Sequence, residues 1–155
     1  IIDLKKENIK IIPMGGSSLK NWVERNYLEG SNIIEYHLYD KDANEQYKSS
    51  VDKVNARANS SKGILTLKRE MENYIHFSLY EKEFGIDCST INDWDDADIE
   101  RIVTDKNSIF KDEKIIKQII NGKLTKQLTK EHLIEMNSFE EIKSWFEDIK
   151  NLIEN

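Results

Sequence analysis

Three groups of side chains in this sequence have the types and spacing for chemistry at a phosphate. Asp40 and Asp42 close the apolar run "IIEYHLYDKD", Glu70 and Glu72 flank Met71 in "LTLKREMENYI", and Gly15, Gly16 and Ser17 stand together before a helical pattern. Two aspartates two apart leave the same face of an extended backbone and can converge on one ion. Carboxylate oxygens with no histidine or thiolate beside them select magnesium or manganese over zinc. Backbone N–H groups at a Gly-Gly turn that opens a helix can meet a phosphate. Each pattern also has a plainer reading. Asp-x-Asp is often a solvated strand end, acidic residues in a first helical turn are favoured by the helix dipole, and a Gly-Gly turn can simply close a strand. Glu70 and Glu72 share a face with Lys68 if the segment stays extended. If a helix begins at Arg69, they diverge by roughly 200° and only one joins the site.

Lysines 111, 114, 117, 123, 126 and 130 make a basic stretch in an acidic protein, read either as a solvated helix pair or as a phosphate-facing surface. The loop carrying Asp93, Asp95, Asp96 and Asp98 lacks the glycine and terminal glutamate of a calcium loop and reads as surface and helix cap. His37, on an apolar strand, reads as a core histidine, and His76 as a neighbour of Glu72 one helical turn away.

A net charge of −6 means that a polyanion must meet a local basic patch, bridging metal ions or a partner that supplies positive field. The one cysteine, Cys88, can form no internal disulfide, and histidines at 37, 76 and 132 give no zinc spacing. A reducing, cytoplasmic setting is expected. No apolar run approaches the roughly 18 residues of a membrane span, so no membrane partner is expected.

Elements that would position these groups follow from apolar periodicity. "IKII" at 9–12, ended by Pro13, reads as a first strand. Leu19, Trp22, Val23 and Tyr27 mark a helix stopping near Gly30. "NIIEYHLY" reads as a second strand, 42–58 as a helix with a Tyr47, Val51, Val54 stripe, and "ILTL" at 64–67 as a third strand. A helix from Arg69 to about Phe84 follows, with Met71, Tyr74, Ile75 and Leu79 inward. After "DWDDADIE", short helices are expected at 110–121, 130–136 and 138–153. Alternating strand and helix predicts an α/β fold, a small parallel sheet flanked by helices and followed by a helical C-terminal extension. Ligands of such sheets bind beyond the carboxyl ends of the strands, where all three groups fall.

The order of Gly-Gly turn, "HLYDKD" and "KREMENYI" resembles the Toprim domain of the overcoming-lysogenization-defect (OLD) family nucleases, including retron-associated members. "YDKD" is similar to the family's strand-end Asp-x-Asp, and "REMENYI" to its downstream acidic segment; the likeness covers about residues 1 to 80. The resemblance implies a Toprim-like α/β domain over 1–86 and a helical region over 87–155. It further implies an Mg²⁺- or Mn²⁺-dependent DNA endonuclease working in anti-phage defence, as a homo-oligomer or defence complex. Such a domain is normally carried behind an N-terminal ABC-type ATPase domain, through which alone ATP would enter. Asp40 and Asp42 would ligate metal, Glu70 or Glu72 would supply a further carboxylate, and Lys123 or Lys126 would stand near the scissile phosphate. The family opens with a strand bearing a glutamate, and nothing before Ile9 provides it. The chain is therefore expected to be a C-terminal fragment with little or no cleavage of its own. Two other readings compete: an Asp-x-Asp phosphoryl-transfer enzyme with Asp40 as nucleophile, and a docking or dimerisation module whose carboxylates are solvated.

Overall fold

The computed structural model describes residues 2–154; the side chains of residues 16 and 17, the Ser17 hydroxyl included, lie outside the described residues. It is an α/β protein whose only sheet among the described residues is a two-stranded parallel pair. The chain divides into two compact units, Ile1–Leu65 with Ile142–Asn155, and Thr66–Glu141.

In the first unit, β1 (Tyr36–Tyr39) runs parallel to β2 (Lys62–Leu65), with Tyr36 opposite Lys62 and Tyr39 opposite Leu65. The crossover between them contains α2 (Lys48–Asn55), as the expected parallel sense requires. His37 and Tyr39 alternate inward from the strand. Tyr39 and Val54 pack with Val23 of α1 (Gly16–Arg25), and Tyr47, Val51 and Leu65 close around them. Gly63 is needed for this approach: a Cβ there would stand 3.2 Å from Val51 Cα and 3.3 Å from Val54 Cβ. The Asn55 amide then brackets Gly63, donating to its carbonyl at 3.1 Å and accepting from its N–H at 2.8 Å. Both ladder groups of that residue are thereby taken, which closes part of the outer edge of β2.

The expected first strand at 9–12 is absent. Those residues are irregular, Ile11 and Ile12 are 73% and 65% exposed, and Ile9 N–H is held by Leu4 O at 2.8 Å. β-branched composition fits a strand only where a sheet face receives the side chains, and here no such face covers Ile11 and Ile12. α1 ends at Asn26, left-handed at φ 43°, four residues before the expected glycine stop. Ile33 and Ile34 stay exposed ahead of β1, and β2 begins two residues earlier than expected, leaving Leu67 outside the sheet.

The second unit is helical. α3 (Phe77–Phe84), α4 (Ile99–Lys106) and α5 (Glu113–Ile119) bury a core of Leu79, Tyr80, Phe84, Ile99, Val103 and Ile116, continued by Ile120 and Leu124 in the π turn after α5. The single helix expected from Arg69 is interrupted. A 3₁₀ turn at Met71–Tyr74 comes first, Ile75 is extended, and α3 starts afresh under His76, whose Nδ1 accepts from Ser78 N–H at 3.3 Å. α4 starts at the end of the expected acidic loop, in a stretch where no helix was expected, its N-terminus capped by Asp98 accepting from Arg101 N–H at 3.2 Å. α6 (Lys130–Glu135) and α7 (Phe139–Glu154) match their expected spans closely. Among the described residues no helix is long and apolar enough to cross a membrane.

Candidate metal centre

The segment after β2 builds the strongest cluster of chemical groups. Lys68 is 3% exposed, its Nζ paired with Asp95 and donating to Met136 O at 3.0 Å. Arg69 N–H is held by Asp95 O at 2.8 Å, which ties the strand exit to the acidic loop. Glu70 is extended and leads directly into the 3₁₀ turn. Asn73, fully buried, fixes that turn on three sides. Its Oδ1 accepts from Glu70 N–H at 3.0 Å, and its Nδ2 donates to Trp94 O at 2.6 Å and Ala97 O at 2.9 Å.

This clamp carries Glu70 and Glu72 to the first turn of α4, where Glu100 stands. Oxygen atoms of Glu70, Glu72 and Glu100 all lie within 4.8 Å of one another. The extended-or-helical choice posed by the sequence is thus resolved by a third geometry, since one extended residue followed by a tight turn brings both glutamates together. Glu72 is 3% exposed, and Tyr80 OH donates to its backbone carbonyl at 2.8 Å. Lys117, reaching from α5, places Nζ 2.6 Å from Glu100 Oε1 and 3.2 Å from Glu72 Oε1. Arg69 Nε lies 3.5 Å from Glu70, and its Nη2 lies 3.3 Å from Asp98.

Electrostatics follow this arrangement. Burial pushes the Glu70 carboxyl above the ordinary range; Arg69 opposes the rise, while Glu72, Glu100 and Asp98 add to it. Burial works against the Lys117 ammonium, yet Glu100 and Glu72 together hold its pKa above the usual lysine value. A cleft of about 550 Å³ opens here, lined by Glu70, Asp98, Glu100, Asp105 and Glu113 against Arg101 and Lys117. A surplus of carboxylate over basic groups suits a cation and repels a bare phosphate. Donor chemistry fits Mg²⁺ or Mn²⁺, because the cluster offers hard oxygens and already accommodates one cationic group.

Asp40 and Asp42 belong to the first unit, just beyond β1. Asp42 is left-handed at φ 53° and its Oδ2 accepts from Gln46 Nε2 at 2.6 Å, so the common face of an extended backbone does not reach it. Both aspartates bear on Tyr47, whose hydroxyl is pushed up first by burial and then by Asp42 and Asp40. Gly15 caps α1, its carbonyl accepting from Ser18 and Leu19 N–H at 2.9 and 3.1 Å, with irregular chain rather than a strand before it. Lys123 is paired with Glu83 at 2.6 Å, and Lys126 is exposed on the 3₁₀ turn Thr125–Gln127. His37 is a buried core histidine, as expected; His76 instead pairs with Glu135 at 2.9 Å and stacks on His132.

Sequence reading missed Glu100 and Lys117. The signal for Glu100 was the Asp98 cap, which puts Glu100 in a first helical turn instead of a loop. Lys117 had none beyond membership of the basic stretch. No protein-family model, curated protein or solved structure matches this chain.

Proposed function

We propose that the chain is the nuclease portion of a metal-dependent DNA endonuclease of the Toprim type, acting in the cytoplasm in defence against phage. In this reading it works behind an ABC-type ATPase domain that binds ATP, in a homo-oligomer or defence complex. The observation that carries the reading is the convergence of Glu70, Glu72 and Glu100, whose oxygens lie within 4.8 Å of one another, beside an acidic cleft that Glu70 and Glu100 line. Two of these three residues come from the segment whose sequence resembles the Toprim acidic motif. Asp40, Asp42, Lys123 and Lys126 stay in the proposal on the strength of the resemblance alone.

Glu70, Glu72 and Glu100 would hold the Mg²⁺ or Mn²⁺ ion. Such an ion, when bound, polarises a phosphodiester and lowers the pKa of attacking water. The chain's own part is positional. Asn73 fixes the distance of Glu70 from the acidic loop, Tyr80 and the α4–α5 packing keep Glu72 in place, and burial excludes bulk water from its carboxylate. Net negative charge makes productive contact with DNA depend on the cation, since the cleft by itself repels phosphate.

Nicking of supercoiled plasmid by the chain joined to its ATPase domain tests the proposal. Cleavage should require Mg²⁺ or Mn²⁺ and fall by at least about a hundredfold in Glu72→Gln and in Asp40→Ala, with thermal unfolding retained. Full activity in Glu72→Gln would remove the cluster from the mechanism; full activity in Asp40→Ala would remove the Asp-x-Asp assignment.

A further inference from the structure

We propose that the outer face of α7 is a self-association surface, on which α7 of a second copy of this chain lies antiparallel. The inference gives a surface to the homo-oligomer named above and rests on no part of the nuclease reading, so self-association and cleavage are lost or kept independently.

The anchoring of α7 defines that face. Trp145 is buried, and Asp148 accepts from Tyr36 OH of β1 at 3.2 Å and pairs with Lys62 Nζ of β2 at 2.6 Å. These contacts fix the rotation of the helix and turn Phe146 and Ile153, about two turns apart, outward. Phe146 is 48% and Ile153 40% exposed, and with Ile2 they line an open groove of about 490 Å³. Along the same groove run Lys143, Glu147, Lys150 and Glu154, alternating in sign and paired within the helix as Lys143–Glu147 and Lys150–Glu154, each at 3.6 Å. Exposed pairs of this kind hold their partners weakly and exchange them readily.

The order of the charges decides what fits. A row of alternating lysine and glutamate lacks the basic face of a membrane-surface helix and the positive field a polyanion needs. An occupant must bring apolar groups to Phe146 and Ile153 and alternate its charges in the opposite sense. α7 read backwards does both. With a two-fold axis level with Asp148 and Ile149, Lys143 stands opposite Glu154 of the second copy and Glu147 opposite Lys150 of the second copy, and symmetry makes each contact twice. Phe146 then lies about 3 Å along the axis from Ile153 of the second copy, within reach of a phenyl ring. A parallel copy sets lysine against lysine and glutamate against glutamate, so the charges select the antiparallel sense. A seam of about three turns is at the small end of specific interfaces, so the pair forms reversibly, driven by the apolar residues and oriented by the charges.

Sedimentation velocity of the full chain from about 5 µM to about 500 µM provides the test. The expected result is a reversible monomer–dimer equilibrium, weakened at least about tenfold in the double variant Phe146→Gln, Ile153→Gln. Two charge variants then identify the occupant. Glu147→Lys with Glu154→Lys, and Lys143→Glu with Lys150→Glu, should each self-associate at least about tenfold more weakly than wild type, while their equimolar mixture recovers a dimer. Recovery in the mixture also shows that both variants are folded. A wild-type chain that stays monomeric throughout the range overturns the proposal. A dimer that the Phe146 and Ile153 substitutions leave unchanged overturns it as well, by placing the contact on another face. Failure of the mixture to recover, with wild-type thermal midpoints in both charge variants, overturns the antiparallel pairing and assigns the face to a different occupant. Should a charge variant unfold, the concentration dependence of wild type and of the Phe146, Ile153 variant decides.

Discussion

His37 shows how one residue's surroundings set a measurable pH response. It lies on β1 with Nδ1 3.0 Å from Tyr39 OH and Nε2 3.4 Å from Glu35, and Arg57 reaches the same glutamate. Burial lowers the His37 pKa below its ordinary value; Glu35 raises it, but not enough to cancel burial, and Arg57 adds to the lowering. A depressed folded-state pKa means that the unfolded chain takes up the proton first. The stability this histidine contributes is therefore fully present above the unfolded value of about 6.5, declines as pH falls through the lowered folded value, and levels off below it. Urea midpoints from pH 7.5 to 4.5 for wild type and His37→Gln should differ most at the alkaline end and converge toward acid. A constant difference across the range would show that His37 does not titrate with folding. The burial of this residue was legible in the sequence, because a continuously apolar strand is expected to be covered on both faces, which encloses a histidine on whichever side it points. Glu100 was not, since its role depends on where α4 begins, and that boundary is set by one cap hydrogen bond from Asp98.

The 3₁₀ turn at Met71–Tyr74 organises more of the second unit than its four residues suggest. Asn73 joins it to Trp94 O and Ala97 O, and Trp94 Nε1 donates back to Asn73 O at 3.1 Å, so the acidic loop and the turn fold as one piece. Beside it Tyr74 OH donates to Glu141 at 2.6 Å. Replacing Asn73 by Leu, close in volume, removes three side-chain hydrogen bonds and leaves Glu70 N–H and the half-buried carbonyls of Trp94 and Ala97 without them. A loss of about 2–4 kcal/mol is expected in chemical denaturation. The same substitution should weaken Mn²⁺ binding more than Met71→Ala, which alters an exposed neighbour in the same turn. Equal effects from the two would show that the clamp does not position the carboxylates. Apolar spacing in "KREMENYIHFSL" suggested one continuous helix because periodicity counts side chains and is blind to Asn and His competing for the backbone as caps. The parallel sense of β1 and β2 was legible for the opposite reason: a crossover long enough for a helix leaves few other ways to join two buried strands.

At the scale of the whole molecule, a net charge of −6 leaves any nucleic-acid role to a local basic patch, bridging cations or a partner's positive field, and the acidic cleft favours the cation among these. Composition alone showed the first constraint. It could not show which β-branched segments are structural, because "IKII" and "IIEYHLY" are nearly equal in local propensity and differ in what receives them. Tyr39 meets Val23 and Val54 in a core, whereas Ile11 and Ile12 meet solvent. Surface substitutions away from caps, cores and strained backbone change stability by no more than about 0.5 kcal/mol. The double variant Ile11→Lys, Ile12→Lys should accordingly unfold at the same urea concentration as wild type, and should be the more soluble of the two because it removes an exposed apolar pair. Val54→Ala, which empties a fully buried position against Gly63, should lose about 1–3 kcal/mol in the same assay. Comparable destabilisation by the lysine pair would mean that 9–12 is a strand in solution and that the sheet has a third member. An unchanged midpoint would place the sheet-forming information of the chain in β1 and β2, where the side chains have partners.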